Sequence, residues 1–285
     1  MRFRPQNTSR PHVMALVGLA AAALWLAQPA SAQDRFGGGS SGAIGEKYHV
    51  EVAGSLWNPT LFGQISSDQF GIVGSDIDLT SDLGYQQTRF KDLRVVVRPA
   101  KKHKLRFQYT PANYTASTTF RRNIVFNGIL YPIAVPVTSE LNWDVMRFGY
   151  EYDFLYKSRG YAGVLLEGRY TTFDATLKSP IANEFTTARA PLPAFGFVGR
   201  GYPLPYLAVN FDLSMFNLNA LHLPASLIKD TSATYYDLDI DGTINFTENV
   251  GVQVGWRKMT TTLGLSGDRG NLKFQGLWFG AALRY

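Results

Sequence analysis

The fold of this protein is indicated most clearly by its C-terminal residues, Leu272-Lys-Phe-Gln-Gly-Leu-Trp-Phe-Gly-Ala-Ala-Leu-Arg-Tyr285. Side chains along a strand alternate between two faces, so every second residue of this stretch shares a face. One of these faces is wholly apolar or aromatic over its last five positions, which are Leu277, Phe279, Ala281, Leu283 and Tyr285. A closed barrel in lipid needs such a strand at its end, because the last strand must pair with the first.

This ending resembles the C-terminal signature of Gram-negative outer-membrane β-barrels, in which alternate apolar residues precede a final Phe, Tyr or Trp. The resemblance covers the terminal strand, and it indicates a class of protein rather than an activity. It implies residence in the outer membrane, contact with lipid and lipopolysaccharide, and delivery by periplasmic chaperones and the barrel-assembly machinery. The five alternating residues would then form the C-terminal assembly signal.

The N-terminus predicts export. Residues 1–32 have a basic start, an apolar stretch over 13–26 and the small-residue site Ala30-Ser31-Ala32, as a cleaved signal peptide does. The apolar stretch is shorter than the roughly 20 residues that a membrane-spanning helix needs. Residues 33–46 are rich in glycine and serine and predict a flexible linker. The barrel is expected over 47–285.

Composition excludes several classes of function. The chain has no cysteine, so it offers neither disulfides nor thiolate metal sites. Its formal charge of +6 falls to about +3 once the three arginines of the signal peptide are removed, an excess too small to indicate nucleic-acid binding. The 15 Tyr, 19 Phe and 5 Trp are typical of strands and of the aromatic girdles of membrane barrels. We expect a monomer without cofactor or metal.

Alternation predicts an all-β fold, a closed antiparallel up-and-down transmembrane β-barrel of ten strands. An even number puts both termini on the periplasmic side. Eight strands would follow if 194–216 were one loop, and a soluble all-β periplasmic protein is the alternative fold. The predicted strands cover 47–57, 83–98, a third from 103, a fourth ending near 154, 161–177, 194–202, 206–216, 233–246, 250–265 and 272–285.

The connections predict the orientation. Those at residues 100, 158, 204 and 249 are tight, whereas those around 58–82, 178–190 and 217–231 are long, as extracellular loops are. Asn127-Gly128 lies between two apolar triplets, a pattern typical of a type I′ hairpin turn. We expect strands 3 and 4 to continue past the bilayer as a ribbon, although a disordered loop would also fit. Leu141 and Trp143 are out of phase with Met146, which predicts a bulge.

The same alternation turns a set of charged side chains toward the barrel interior. The bases lie mainly on strands 2 to 4 and the acids mainly on strands 7 and 8, on opposite sides of a ring of ten. Buried charges must pair or stay hydrated, and a small barrel leaves little room for water. We therefore expect an ion-paired, largely plugged lumen, with an open channel as the alternative. The set is Arg94, Arg98, Lys104, Arg106, Arg147, Glu151, Asp153, Asp212, Asp237, Asp239, Asp241 and Arg257.

Catalytic residues are hard to assemble from this sequence. His222 is the histidine predicted in an extracellular loop, and no serine or carboxylate can be placed beside it as a hydrolase requires. The omptin proteases share the predicted strand count, but their Asp–His couple has no match here. Asp76, Asp78 and Asp82 have too few features of a calcium loop, so capping of the loop is favoured. The expectation is a non-enzymatic barrel, either structural and surface-exposed or a narrow pore. The alternative is a surface enzyme that hydrolyses lipid or peptide.

Overall fold

The computed structural model describes residues 43–68, 71–180, 183–221, 231–265 and 267–285. The predicted signal peptide, most of the predicted linker and His222 lie outside these residues. Among the described residues, no helix is both long enough and apolar enough to cross a membrane.

Fourteen strands are found in the described part of the chain, and ten of them close a barrel. The ring order is β1, β4, β5 and then β8 to β14, each antiparallel to its neighbours, and β1 pairs with β14. This confirms the fold class and the ten-strand count, so the eight-strand alternative is wrong. The strands are β1 Val50–Trp57, β2 Thr60–Ser67, β3 Ile77–Asp78, β4 Phe90–Ala100, β5 His103–Thr119, β6 Ile124–Phe126, β7 Ile129–Tyr131, β8 Pro136–Lys157, β9 Gly160–Lys178, β10 Asn183–Leu204, β11 Leu207–Asn217, β12 Thr231–Asn245, β13 Val250–Leu265 and β14 Asp268–Arg284.

The barrel has two unlike ends. At one end, which we call the turn end, lie the four tight connections, the residues before β1 and the C-terminal Tyr285. At the other, the loop end, lie the longer segments between strands. The seam between the first and last strands runs from Glu51↔Arg284 to Trp57↔Trp278, and β2 then continues it along residues 268–275 of β14. Gly276 is needed where the seam changes partner, because a Cβ there would lie 2.3 Å from the carbonyl oxygen of Asn58.

The outer face of the barrel is apolar, as alternation predicts. Leu277, Phe279, Leu283 and Tyr285 are each more than half exposed, with fractions of 55%, 54%, 61% and 52%. The aromatic side chains assigned to the outer phase are exposed as well, namely Phe148, Tyr150, Tyr152, Tyr170 and Trp256. Contact with water would cost about 25 cal/mol for each Å² of such a surface, so this exterior suits lipid.

The bulge predicted near Leu141 is wrong. Strand β8 pairs with β5 without interruption from Pro136 to Tyr152, so its phase does not change there. Leu141 and Trp143 are instead buried, each with 1% exposure, because the interior itself becomes apolar toward the loop end. The register shift of β8 lies between Tyr152 and Leu155, at the turn end.

Two long connections also differ from prediction. Residues 183–190 are part of strand β10 rather than of a loop, because β9 and β10 pair from Lys178↔Asn183 to Gly160↔Gly201. Residues 83–89 are not a strand, since β4 begins at Phe90. They belong instead to a segment, 72–89, that buries Ile77, Leu79 and Leu83 at the loop end. After β11 a short 3-10 helix covers Leu218–Leu221.

The Asn127-Gly128 turn is confirmed, and strands β5 and β8 do continue as a ribbon, but this ribbon ends before it reaches the turn. Asn127 and Gly128 have φ angles of 53° and 76°, as a type I′ turn requires. The pairing of β5 with β8 stops at Thr119↔Pro136, and β6 and β7 form a separate two-stranded sheet. This hairpin folds back over the loop end, where Ile124, Phe126 and Tyr131 are almost completely buried.

Candidate functional site: the barrel interior

The structure places the twelve charged residues that were predicted to point inward on the inner face of the ring. Eight of them are at least nine-tenths buried: Arg98, Lys104, Arg147, Glu151, Asp153, Asp237, Asp241 and Arg257. Arg94, Arg106, Asp212 and Asp239 are partly buried.

Asp237 of β12 is the centre of the largest group of ion pairs, the central charged cluster, formed by Asp92, Arg106, Arg147, Glu167, Arg169, Asp212, Asp237 and Arg257. Its Oδ2 atom lies 2.8 Å from Arg257, 3.1 Å from Arg147 and 3.4 Å from Arg169. The hydroxyl group of Tyr235 donates to the same oxygen at 2.7 Å. A buried carboxylate needs such partners, since an unpaired charge in a confined interior is costly.

Ion pairs of this cluster cross the barrel. Arg106 on β5 pairs with Asp212 on β11, and Arg147 on β8 lies 3.5 Å from the same carboxylate. Arg106 is four strands away from Asp212 in the ring of ten, and Arg147 is three strands away from it. Arg147 also donates to Glu167 on the adjacent strand β9 at 2.9 Å. Basic and acidic walls therefore meet through long side chains that cross the lumen.

A second group of ion pairs lies nearer the turn end. We call it the turn-end cluster; its members are Glu51, Lys104, Glu151, Asp153, Arg200 and Arg284. Lys104 contacts Glu151 at 2.6 Å and Asp153 at 2.9 Å, both from β8. Glu51 at the start of the barrel pairs with Arg284 at 2.5 Å and with Arg200, directly across the ring, at 3.7 Å.

The residues before β1 close this end of the interior. Arg98 donates to the backbone and side chain of Glu46 at 2.8 and 3.2 Å, and the hydroxyl group of Tyr202 donates to Glu46 at 2.9 Å. Ala43 packs against Tyr202 and Ala208. Residues 43–46, the last four of the predicted linker, are thus packed in the described structure.

Three of the predicted charges have other contacts. Asp239 accepts from the indole nitrogen of Trp278 at 2.8 Å, and Asp241 accepts from Asn210 at 2.6 Å. Arg94 donates to Gln253 at 3.3 Å, while its Nε atom has no hydrogen-bond partner among the described residues. The run of three acids on β12 is therefore not uniform, because only Asp237 lies against several guanidinium groups.

The predicted set omitted several members of both clusters. Glu167 and Arg169 follow from alternation, since they are out of phase with the exposed Leu166 and Tyr170. Arg284 lies between the exposed Leu283 and Tyr285 and follows in the same way. No sequence signal identified Glu51 or Arg200 as partners, because their contact joins β1 to β10 across the ring.

The loop-end half of the interior is apolar. Trp143 on β8 stacks on Phe274 on β14, four strands away in the ring, with ring centroids 4.7 Å apart and planes at 7°. Phe90 contacts Phe274 edge to face at 5.7 Å. Segment 72–89 and the β6–β7 hairpin add their buried side chains to this cluster, the loop-end core. Its aromatic members are Trp57, Tyr85, Phe90, Tyr114, Phe120, Phe126, Tyr131, Trp143, Tyr235, Phe274 and Trp278.

Little space remains between these groups. Two cavities in the charged half have volumes of about 10 Å³ each, close to what one water molecule needs. A third, of about 50 Å³, lies in the loop-end half between Phe126, Trp143 and Leu272.

The aspartates of the loop before β4 act as caps. Asp78 accepts from the backbone of Thr80 at 2.9 Å and of Ser81 at 2.7 Å, which are the contacts that a capping aspartate makes. Asp82 forms a 2.7 Å ion pair with Arg122, and Arg122 also donates to the carbonyl oxygen of Asp76. Partial burial is the largest single influence and acts against ionisation of Asp82, but the hydrogen bonds from Arg122 and from the backbone of Asp78, together with the charge of Arg122, outweigh it and lower its pKa. No group of three or more potential metal ligands is found among the described residues.

The histidines in the described part of the chain lie at the turn end. His103 Nδ1 is 2.6 Å from the hydroxyl group of Tyr150 on the outer face. His49 lies just before β1, where its backbone pairs with Tyr285. The predicted loop histidine, His222, is outside the described residues.

Known structures share this fold. The outer membrane protease OmpT from Escherichia coli matches with a TM-score of 0.55 at 10% identity, over 83% of this chain and 96% of that one. The translocator domain of the autotransporter NalP from Neisseria meningitidis matches with a TM-score of 0.37 at 8% identity, over 96% and 97%. The attachment invasion locus protein Ail of Yersinia pestis gives 0.36 at 9%, over 81% and 99%. No protein-family model and no curated protein matches the chain.

The closed ten-strand ring, its apolar exterior and its likeness to the OmpT fold define the class. This chain has the fold of the outer-membrane β-barrels, a closed antiparallel ring of ten strands with an apolar exterior. The structural relation extends to the fold and not to an activity.

Proposed function

We propose that this protein is a non-enzymatic outer-membrane barrel with a closed lumen, which serves a structural or surface role rather than solute passage. The single observation that carries this proposal is the stacking of Trp143 on Phe274 across the ring. Two side chains from strands that are four apart in the ring stack there, so their contact spans the lumen at that level.

The charged half supports the same function by independent contacts. Two pairs of Asp237, with Arg147 and Arg169, and the pair of Arg106 with Asp212 join strands that are three or four apart in the ring. Each guanidinium group is fixed by more than one carboxylate or hydroxyl, as in Arg169, which contacts Glu167, Ser214 and Asp237. An ion moving through this half would have to break several buried pairs at once.

In this proposal the turn end faces the periplasm and the loop end faces the exterior. The short connections lie at the turn end and the longer segments at the loop end, as in other bacterial barrels. The external surface is then formed by the β9–β10 ribbon and by the ribbon of β5 and β8. Chaperones and the barrel-assembly machinery are the proposed partners during biogenesis, with Leu277, Phe279, Ala281, Leu283 and Tyr285 as their signal.

Planar-bilayer recording of the purified barrel tests the closed lumen. We expect no large stable conductance step under conditions in which an open porin, run alongside, conducts. The shift in gel mobility between unboiled and boiled samples establishes that the inserted protein is folded. A large and stable conductance in folded wild-type protein would overturn the proposal.

The enzymatic alternative depends on residues of the external surface. Among the described residues of the acidic loop, Asp78 caps the backbone and Asp82 pairs with Arg122, so these two carboxylates are already engaged. We expect no turnover of lipopolysaccharide or peptide substrates by the wild type. Turnover that is lost when His222, Asp76 and Asp78 are changed to Ala would establish the alternative instead.

A further inference from the structure

The turn-end rim of the barrel is divided by charge. The β4–β5 turn carries Lys101 and Lys102, and the β8–β9 turn carries Lys157 and Arg159, with all four residues exposed. These turns are neighbours, because β5 pairs with β8 and the backbone of Asp153 donates to Lys102 at 2.8 Å.

The other side of the rim lacks these cations. The β10–β11 turn consists of Pro205 and Tyr206, and the β12–β13 turn contains Glu248, whose carboxylate accepts from the backbone of Gly45 at 2.7 Å. The C-terminal carboxylate of Tyr285 lies on that side as well, between β1 and β13. Four exposed cations are thus grouped on one arc of the rim, which we call the basic arc and define as Lys101, Lys102, Lys157 and Arg159, while the exposed Lys47 lies outside it, before β1.

The apolar exterior continues directly into the basic arc. The register shift of β8 between Tyr152 and Leu155 leaves the consecutive residues Phe154 and Leu155 exposed by 54% and 44%. In a regular strand one of two consecutive residues would point inward, so the shift adds an apolar side chain to the outer surface. His103 and Tyr150, in contact through Nδ1 and the hydroxyl group at 2.6 Å, lie beside it as amphipathic groups suited to the membrane interface.

We infer that the basic arc is a binding site for the headgroups of anionic phospholipids in the adjacent leaflet. The apolar residues beside it contact the acyl chains, and the ammonium and guanidinium groups lie at the level of the phosphates. Lysine binds phosphate as a point charge and arginine through paired hydrogen bonds, so the two turns together offer both modes. The assignment to the inner leaflet rests on the proposed orientation, but it does not depend on whether the lumen is closed.

Native mass spectrometry of the full-length mature protein tests the site, with phosphatidylglycerol and phosphatidylcholine of the same acyl chains offered in equal amounts. A cation near an anionic surface contributes about fivefold in affinity at low salt. We expect phosphatidylglycerol to be retained on the order of tenfold better than phosphatidylcholine, and this preference to fall as salt screens the charges.

A triple variant, Lys102→Gln, Lys157→Gln and Arg159→Gln, removes three cations while the backbone contacts of both turns remain. It should lose most of the preference for phosphatidylglycerol. The matched control removes three exposed cations from the loop end, by Arg121→Gln, Lys178→Gln and Arg269→Gln, and should keep that preference. Both variants must show the wild-type difference in mobility between unboiled and boiled samples.

Three results would overturn the inference. One is equal retention of phosphatidylglycerol by the wild type and by the folded basic-arc variant. Another is an equal loss in the loop-end control, which would assign the effect to net charge. The third is preferential retention of lipid A over phosphatidylglycerol by the basic arc, which would assign these turns to the outer leaflet. If the basic-arc variant does not fold, a wild-type preference that does not change with salt would also contradict it.

Discussion

The two halves of the barrel interior are filled in opposite ways. The half near the turn end contains interlocked arginines, lysines and carboxylates, whereas the half near the loop end contains stacked aromatic and aliphatic side chains. Both halves are lined by the same strands. Strand β8, for example, contributes Trp143 to the loop-end half and Arg147 to the turn-end half.

The two halves differ because different segments of the chain are available to fill them. The turn end is connected by tight turns, so only side chains of the wall and residues 43–49 can fill it. Long side chains with polar ends can cross the ring and meet there as ion pairs. At the loop end, segment 72–89 and the β6–β7 hairpin fold back and fill the interior with their own apolar residues. The loop-end half therefore packs like the core of a soluble protein.

The largest expected effect comes from the centre of the charged half. Asp237→Asn removes the carboxylate that lies against three guanidinium groups, and breaking a buried ion pair costs about 3–5 kcal/mol. The free energy of unfolding, measured by urea titration of the folded barrel, should fall by about 4 kcal/mol. Asp239→Asn is the matched control two residues away, where the new amide oxygen can still accept from Trp278, and it should lose less than about 1 kcal/mol. Equal losses in the two variants would contradict the unequal roles of the β12 acids.

The apolar half should respond to a change in volume. Leu141→Ala opens a cavity in the loop-end core, and such a change costs about 2–5 kcal/mol, so we expect a loss of about 3 kcal/mol in the same unfolding measurement. Leu166→Ala on the neighbouring strand β9 is the control, because Leu166 is 62% exposed on the outer face. A loss at Leu166 as large as that at Leu141 would argue against an apolar core inside the barrel.

A smaller effect is expected at the rim of the loop-end core. Asp82→Asn removes the ion pair with Arg122, which is half exposed, so the loss should be about 0.5 kcal/mol. The hydrogen bond lowers the pKa of Asp82 in the folded protein, so its contribution is present above the unfolded pKa of about 4 and is lost as the pH falls through the folded pKa. The wild type and Asp82→Asn should therefore differ at pH 7 and converge in acid. If the difference in stability grew in acid instead, the pKa of Asp82 in the folded protein would be raised and not lowered.

The smallest expected effect is on conductance, when only the β6–β7 hairpin is removed from the loop-end half. Replacing residues 121–135 by a short Gly-Ser connection removes the β6–β7 hairpin, but it leaves both the Trp143–Phe274 stack and the central charged cluster in place. The current through a planar bilayer should remain at the wild-type level. A large conductance in the folded variant would show that the hairpin, and not the interior of the wall, closes the lumen.

The alternation of apolar and polar residues predicted most features of the barrel strands. It gave ten strands, the exterior aromatics and the inward phase of Arg147, Glu151 and Asp237, because period two is a property of the strand itself. It failed at Leu141 and Trp143, where an apolar residue points inward and a period-two pattern cannot tell an interior core from a lipid-facing exterior. It also failed for residues 183–190, because their weak alternation and the nearby Pro180 do not indicate pairing with β9.

The fold class of this protein could be predicted from the sequence, since the terminal Leu277–Tyr285 pattern and the alternation that predicts ten strands are local features. Only the tertiary structure decided how the lumen is filled. Ion pairs such as Arg200 with Glu51, and the stack of Trp143 on Phe274, join strands that are distant along the chain and on opposite walls of the ring. The partner of a side chain across a lumen depends on the stagger and tilt of the closed barrel, which no single strand encodes.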